Sequence, residues 1–192
     1  MWLGGPEPDA YQAFEAAWRQ LHPTWEVRTW GEADLDWLAN RDAFDDAPSW
    51  SSKANIARYE IVLREGGMYV DADFEPLRPL DELLEGADLV LGQQEPGLFA
   101  CGLFAAAPGH PVLAYVVSQV GRSHFARPEA ISPQRTGPDF FTRAVRRAVA
   151  ELGVTRGCSP ATRSTPTCGP SPTSVTPRSP RRTPCTTGPG RG

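Results

Sequence analysis

Lysine is almost missing from this chain of 192 residues: Lys53 stands alone against 18 arginines. Acidic residues are missing from one part altogether. From Arg156 to Gly192 there are six Arg and no Asp or Glu, so the first 155 residues hold 13 basic against 23 acidic side chains, a net of −10. An acidic body of that kind is a poor partner for phosphate backbones, which require clustered Lys and Arg, so no nucleic-acid binding is expected. No apolar run approaches the roughly 20 residues of a membrane helix, and no basic-then-apolar leader opens the chain. Neither a membrane span nor a secretory signal is therefore expected. Cysteine is scarce too. Cys158, Cys168 and Cys185 are spaced neither as zinc pairs nor as a disulfide framework, and Cys101 sits among small apolar residues as a core position would.

The length suits one domain. Residues 156–192 read as a separate low-complexity tail, with eight Pro, eight Thr, five Ser and five Gly and with no aromatic, Leu, Ile or Met. Such a stretch cannot bury enough apolar surface to offset the entropy of ordering it, so disorder is expected. Its composition is also what a GC-rich gene yields when read out of frame. The organisation expected is thus one domain over 1–155 and a disordered or frameshifted tail over 156–192.

Within the domain, Asp9 is placed to cap a helix whose Tyr11, Phe14, Trp18 and Leu21 keep helical spacing, and His22-Pro23 stops it. Trp25 to Trp30 alternates as a strand would. A short helix is expected from Glu32 to Leu38, then a polar loop from Asn40 to Ser52. Lys53 to Glu65 is the clearest helix, with Ile56, Tyr59 and Leu63 on one face and Gly66-Gly67 as its stop. Met68 to Asp71 reads as a short buried strand, Asp88 to Gly92 and Leu98 to Ala106 as two more. Helices are expected over Pro111–Val120 and Pro138–Leu152, the latter opened by Gly137-Pro138. The alternation implies an α/β domain with a mainly parallel sheet. No internal repeat is visible.

The chemistry-bearing stretch is GGMYVDADFEPLRPLDELL, residues 66–84. In an extended segment Asp71 and Asp73 would point the same way, at the carboxyl end of a strand, where α/β sheets bind ligands. Paired carboxylates are hard donors suited to Mg²⁺ or Mn²⁺, with substrate phosphates and water completing the shell. A D-x-D triplet also occurs by chance, and a solvated loop with two acids is the plain alternative.

KANIARYEIVLREGGMYVDADFEPLRPLDELL resembles the core of the glycosyltransferase family 32 type, the sugar-binding region with a DXD motif. Trp2-Leu3-Gly4-Gly5, Ala107-Pro108-Gly109-His110-Pro111 and Thr136-Gly137-Pro138 resemble further motifs of that family, in its order. The resemblance runs from Trp2 to about Leu152. It implies a GT-A fold, Rossmann-like, binding a sugar nucleotide with Mn²⁺ or Mg²⁺ on the diphosphate. On that likeness Asp73 is the direct metal ligand and Asp71 a metal or sugar contact. Arg58 and Asn55 lie near the donor on the helix, and Trp2 and Gly4 lie where the first strand meets the base.

The implied reaction is transfer from a UDP- or GDP-sugar to a glycan or glycolipid, with retention. No nucleophile is identifiable. The expected place is cytoplasmic, at the inner face of the membrane, with peripheral contact only. Two departures stand out: the family's first strand precedes Trp2, which suggests an internal start at Met1, and its C-terminal part is replaced by the tail. A truncated, inactive remnant that at most binds nucleotide is therefore the alternative. Haloacid-dehalogenase phosphohydrolases also set D-x-D after a strand, but Glu75 holds the place of their Thr or Val.

Several residues are ambiguous by sequence. Arg58 could be a surface ion-pair residue, and Tyr59 belongs to the core. Trp50 could stack on a base, though a core role fits it better. Gln93, Gln94 and Glu95 could line an acceptor side. His22, His110 and His124 are expected to be structural.

Overall fold

A computed structural model describes residues 1–4 and 8–153; the tail expected over 156–192, its three cysteines and Gly5 lie outside them. The first helix, α1, runs Asp9–Leu21. Pro8, with φ −62° and ψ 144°, is its N-cap, and Asp9 stands one place later than expected, at the first helical position, where its charge meets the helix dipole. The chain then passes through a short 3₁₀ turn, Glu32–Asp34, which is all that forms of the helix expected to reach Leu38. The polar stretch expected as a loop holds α2, Arg41–Asp46, and the first turn of α3, Trp50–Glu65. Ser49 caps α3 by accepting from Ser52 N–H, so the helix begins three residues before Lys53. Strand β1 is Gly67–Val70, and α4 is the stub Asp81–Leu84. Strands β2, Leu89–Glu95, and β3, Leu98–Ala106, follow. The chain ends in α5, Pro111–Ala126, the short α6, Ser132–Arg135, and α7, Pro138–Leu152.

The three strands lie in the order β1-β3-β2 and both pairings are antiparallel, which corrects the expectation of a mainly parallel sheet. The reason is local. Only Pro96-Gly97 separates β2 from β3, and so short a connection reverses the chain; a parallel crossover needs a dozen residues or more. Gly97 adopts φ +82°, which the turn requires. β2 runs on past Gly92, so Gln93, Gln94 and Glu95 belong to the strand and its bulged end rather than to a loop after it.

α3 is the hub. Ile56, Ala57, Tyr59 and Val62 are buried, and so are the polar Ser52, Asn55, Arg58 and Glu60. It packs against α5 and the sheet, while α7 covers β3 and packs on α5. Tyr59 stacks on Phe141 at 5.1 Å, with Phe104 and Phe140 around it, and its hydroxyl donates to Thr136 O at 2.8 Å. Tyr59→Phe keeps the ring and orphans that carbonyl. Its expected cost is about 1–2 kcal/mol, read as a lower urea midpoint with unchanged slope.

Residues 25–30 are extended but join no sheet, contrary to the strand expected there. A strand needs a ladder partner, and between this segment and β1 lies a cleft of about 340 Å³. Its walls include Val27, Thr29 and Trp30 on one side and Gly67, Tyr69 and Asp71 on the other. The segment is held instead by Trp2 N–H donating to Trp30 O at 3.0 Å and by Thr29 Oγ1 donating to Glu15 at 2.6 Å. Thr29 and Arg19 together keep the Glu15 carboxyl below its ordinary range.

Candidate functional site

Two glycines deliver β1 to its place. Gly66 ends α3 at φ +73°, and a Cβ there would lie 2.6 Å from Pro108 Cδ, so this position tolerates only glycine. Gly109 N–H donates to Leu63 O at 2.7 Å and ties the turn before α5 to the end of α3. Asp71 follows β1 directly, and its N–H donates to Gly102 O on β3 at 2.9 Å.

There Asp71 meets Arg58. Arg58 NH1 donates to Asp71 Oδ2 at 3.2 Å, and NH2 forms an ion pair with Oδ1 at 3.2 Å. NH1 also donates to Cys101 O at 2.8 Å, and Nε to Ala54 O at 3.1 Å. Tyr69 donates its hydroxyl to Asp71 Oδ1 at 2.8 Å, and the guanidinium carbon lies 4.9 Å from the Tyr69 ring centre. Arg58 is 4% exposed, so the surface ion-pair reading of it is wrong. Burial opposes its charge, yet Tyr69 and Asp71 beside it outweigh that and hold its pKa above the usual value. Burial also pushes the Tyr69 hydroxyl up, which keeps it a proton donor. The Cys101 thiol is pushed up for the same reason, so it stays an unreactive core group as expected.

Asp73 is different. The chain turns immediately after Asp71, with Phe74 N–H donating to Asp71 O at 3.1 Å, so the two acids do not share an extended segment as expected. Asp71 is bound inward by Arg58 and Tyr69, whereas Asp73 is exposed on the turn and makes no hydrogen bond or ion pair among the described residues. Its carboxylate is thus the hard oxygen donor left for a cation. Among the described residues no third His, Cys, Asp or Glu joins the two acids in a metal-holding group. One or two carboxylates fit Mg²⁺ or Mn²⁺ completed by phosphate and water, but not a fully protein-ligated ion.

The remaining candidates fall elsewhere. Asn55 is buried, with its amide toward Ser132 and Thr136 and its oxygen 3.7 Å from Cys101 Sγ, so it links α3 to α6 and α7. Trp2 packs on Tyr11 at 5.4 Å. Gly4 adopts φ +80°, and a Cβ there would lie 2.5 Å from the Trp50 ring. Trp50 itself is 49% exposed, which corrects its assignment to the core; Lys53 Nζ stands 5.4 Å from its ring centre. His110 caps α5, and His124 binds Asp46 at 2.7 Å; both are structural, as expected. Gly102 was missed by sequence, although a glycine inside a strand pattern signals close approach, here by the Asp71 carboxylate.

The likeness to known proteins agrees with this arrangement. Residues 8–90 match the family model described as the glycosyltransferase sugar-binding region containing the DXD motif. Inositol phosphoceramide mannosyltransferase 1 of Schizosaccharomyces pombe is 27% identical over 131 residues, covering 64% of this chain and 41% of that protein. Inositol phosphoceramide mannosyltransferase 3 of the same yeast is 27% identical over 151 residues, covering 73% and 42%. The initiation-specific alpha-1,6-mannosyltransferase of Candida albicans is 24% identical over 113 residues, covering 54% and 29%. The chain thus spans about two fifths or less of these relatives. Among solved structures, the PaToxG glycosyltransferase superposes with a TM-score of 0.63 at 14% identity, covering 79% of this chain and 67% of that one. The match is one of fold, the GT-A type expected, and the Asp71-Ala72-Asp73 turn lies within residues 8–90, the stretch that matches the DXD glycosyltransferase model.

Proposed function

We propose that this chain is the donor-binding part of a metal-dependent glycosyltransferase. It takes a sugar from a UDP- or GDP-sugar and passes it, with retention, to a glycan or glycolipid acceptor. The observation that carries the reading is the division of labour between the acids. Arg58 and Tyr69 hold Asp71 at the end of β1, and Asp73 is left exposed on the turn, without a partner among the described residues.

Asp73, with Asp71 behind it, would hold Mn²⁺ or Mg²⁺ against a nucleoside diphosphate. The cation would supply Lewis-acid stabilisation of the leaving diphosphate. The chain's own residues do the rest. Arg58 keeps the Asp71 carboxylate oriented, and the Tyr69 hydroxyl fixes one of its oxygens. Trp2, Gly4 and Asn55 stay donor-side residues in this proposal, Asn55 acting through α3 because it is buried. The relatives named for inositol phosphoceramide support a glycolipid acceptor. The proposed place of action is cytoplasmic, at the inner membrane face by peripheral contact. No described helix is long and apolar enough to cross a membrane.

Calorimetric titration with UDP and GDP, with and without Mn²⁺, tests the reading. Binding is expected only with the cation, and Asp73→Ala is expected to weaken it tenfold or more without changing the thermal midpoint. Metal-independent binding that Asp73→Ala leaves untouched would overturn it. Metal-dependent binding with no turnover of any sugar nucleotide would favour the inactive remnant.

A further inference from the structure

The turn that carries Asp73 leads into residues 74–81, a stretch with two prolines and no regular structure before α4. Three aromatic side chains from the end of α1 and the turn after it grip this stretch. Trp18 Nε1 donates to Phe74 O at 2.9 Å, Leu80 N–H donates to His22 Nε2 at 3.0 Å, and Trp25 Nε1 donates to Asp81 Oδ1 at 2.9 Å. His22 lies between the two indoles, stacked on Trp18 at 5.2 Å and tilted by 30° against Trp25 at 4.1 Å. All three bonds span more than fifty residues of sequence, and together they hold both ends of the segment.

His22 is 1% exposed, and its two nitrogens have opposite partners. Nδ1 lies 3.1 Å from Trp18 O, which only accepts, while Leu80 N–H only donates. One protonation state satisfies both: the neutral ring with its proton on Nδ1. A second proton on Nε2 would set N–H against N–H and place a charge between the two indoles. The ionisable groups on the surrounding elements do not compensate it. On α1, Glu15 and Arg19 pair with each other. Glu26, Glu75, Arg78 and Asp81 are exposed, and Asp81 is engaged by Trp25. No hydrogen bond or ion pair joins any of these to the imidazole among the described residues.

We infer that His22 is a positioning residue for the acidic turn: neutral, it clamps residues 74–81 and so places Asp73 for a metal-bound nucleoside diphosphate, and its protonation releases them. The inference rests on the donor-site reading above for its functional part. The sign is fixed by the geometry: the clamp is present when His22 is neutral and is lost as the pH falls.

Two measurements on the whole chain test it. Amide hydrogen exchange, corrected for intrinsic rates, is expected to show protection of Leu80 and its neighbours falling as the pH is lowered while the chain stays folded. The affinity for UDP with Mn²⁺ is expected to fall over the same range about tenfold further than in His22→Gln, beyond the loss that protonation of the diphosphate itself causes. In His22→Gln, whose side-chain oxygen can accept from Leu80 N–H but does not titrate, Leu80 protection is expected to become flat with pH and the affinity to keep only the response of the diphosphate. Should that variant fail to fold, Trp25→Phe keeps a ring and drops the bond to Asp81; the pH response is then expected to persist on a less protected loop.

Leu80 protection that ignores pH in the parent, or pH responses that survive unchanged in His22→Gln, would overturn the inference. An affinity that follows pH alike in the parent and in His22→Gln, while Leu80 protection falls in the parent alone, would overturn the positioning role. The exchange measurement needs no nucleotide. Absence of UDP binding at every pH would therefore sink the donor reading, and the positioning role with it, while the His22–Leu80 clamp is still judged by exchange alone.

Discussion

Arg58→Ala is expected to cost about 3 kcal/mol of folding stability and to leave no measurable metal-dependent nucleotide binding. Removing one partner of a buried ion pair costs about 3–5 kcal/mol, because the other charge is left without compensation. Asp71 is 33% exposed, so water screens part of the loss and the lower figure applies. The truncation also removes the guanidinium's bond to Cys101 O. Against a total stability of about 5–15 kcal/mol the change is large but survivable, so the variant is expected to fold at 25 °C and to melt much earlier. Arg58→Lys separates charge from geometry: it keeps the charge, loses the two-pronged bond to Asp71, and is expected to fall between parent and alanine in both measurements. Urea melts and UDP titrations of the two variants check this. An Arg58→Ala protein that binds UDP and Mn²⁺ like the parent would show that Asp71 needs no orienting partner.

The second large effect is expected from the smallest change, Gly102→Ala. A Cβ at Gly102 would coincide with Asp71 Oδ2 and stand 3.1 Å from its carboxyl carbon. The backbone there is ordinary strand, so the obstacle is space and not conformation. The carboxylate can give way only by leaving the Arg58 fork, and Phe74 Cε2, 3.6 Å from the new atom, hinders the retreat. Overpacking of this kind costs about 1–3 kcal/mol. With Asp71 displaced, the UDP affinity in Mn²⁺ is expected to drop by tenfold or more. Binding and stability both at parent levels would mean that Asp71 moves freely and does not define the site.

These residues show where the sequence could be read and where it could not. The helix ending at Gly66, the strand after it and the acidic turn were legible, because each depends on its neighbours in the chain: apolar spacing, a glycine stop, a short run of apolar residues. The antiparallel sheet was misjudged although its signal lies in the sequence, since Pro96-Gly97 between two apolar runs marks a hairpin. The inward bond from Arg58 to Asp71 was not legible. α3 is buried on more than one face, and no periodicity tells a core arginine from a surface one. Trp25 to Trp30 misled for the opposite reason. Its alternation is genuine, but pairing is a property of two segments, and a cleft of about 340 Å³ lies between this one and β1. His22 was assigned correctly to a structural place, but its grip on Leu80, 58 residues distant, had no local trace.

The cleft beside β1 also bears on how this protein behaves in concentrated solution. Among the described residues β1 pairs with β3 on one side only, so its other edge offers a row of unladdered amides and carbonyls toward the cleft. Such a rim templates foreign strands, and proteins usually guard it with charge, above all lysine. Here the charged residues lining the cleft are Glu15, Glu26, Glu65 and Asp71 against Arg28 alone, and no lysine stands among them. That acidic excess repels a second copy, and salt screens the repulsion. Self-association through this rim, rising with protein concentration and with salt, is the failure mode that the fold invites.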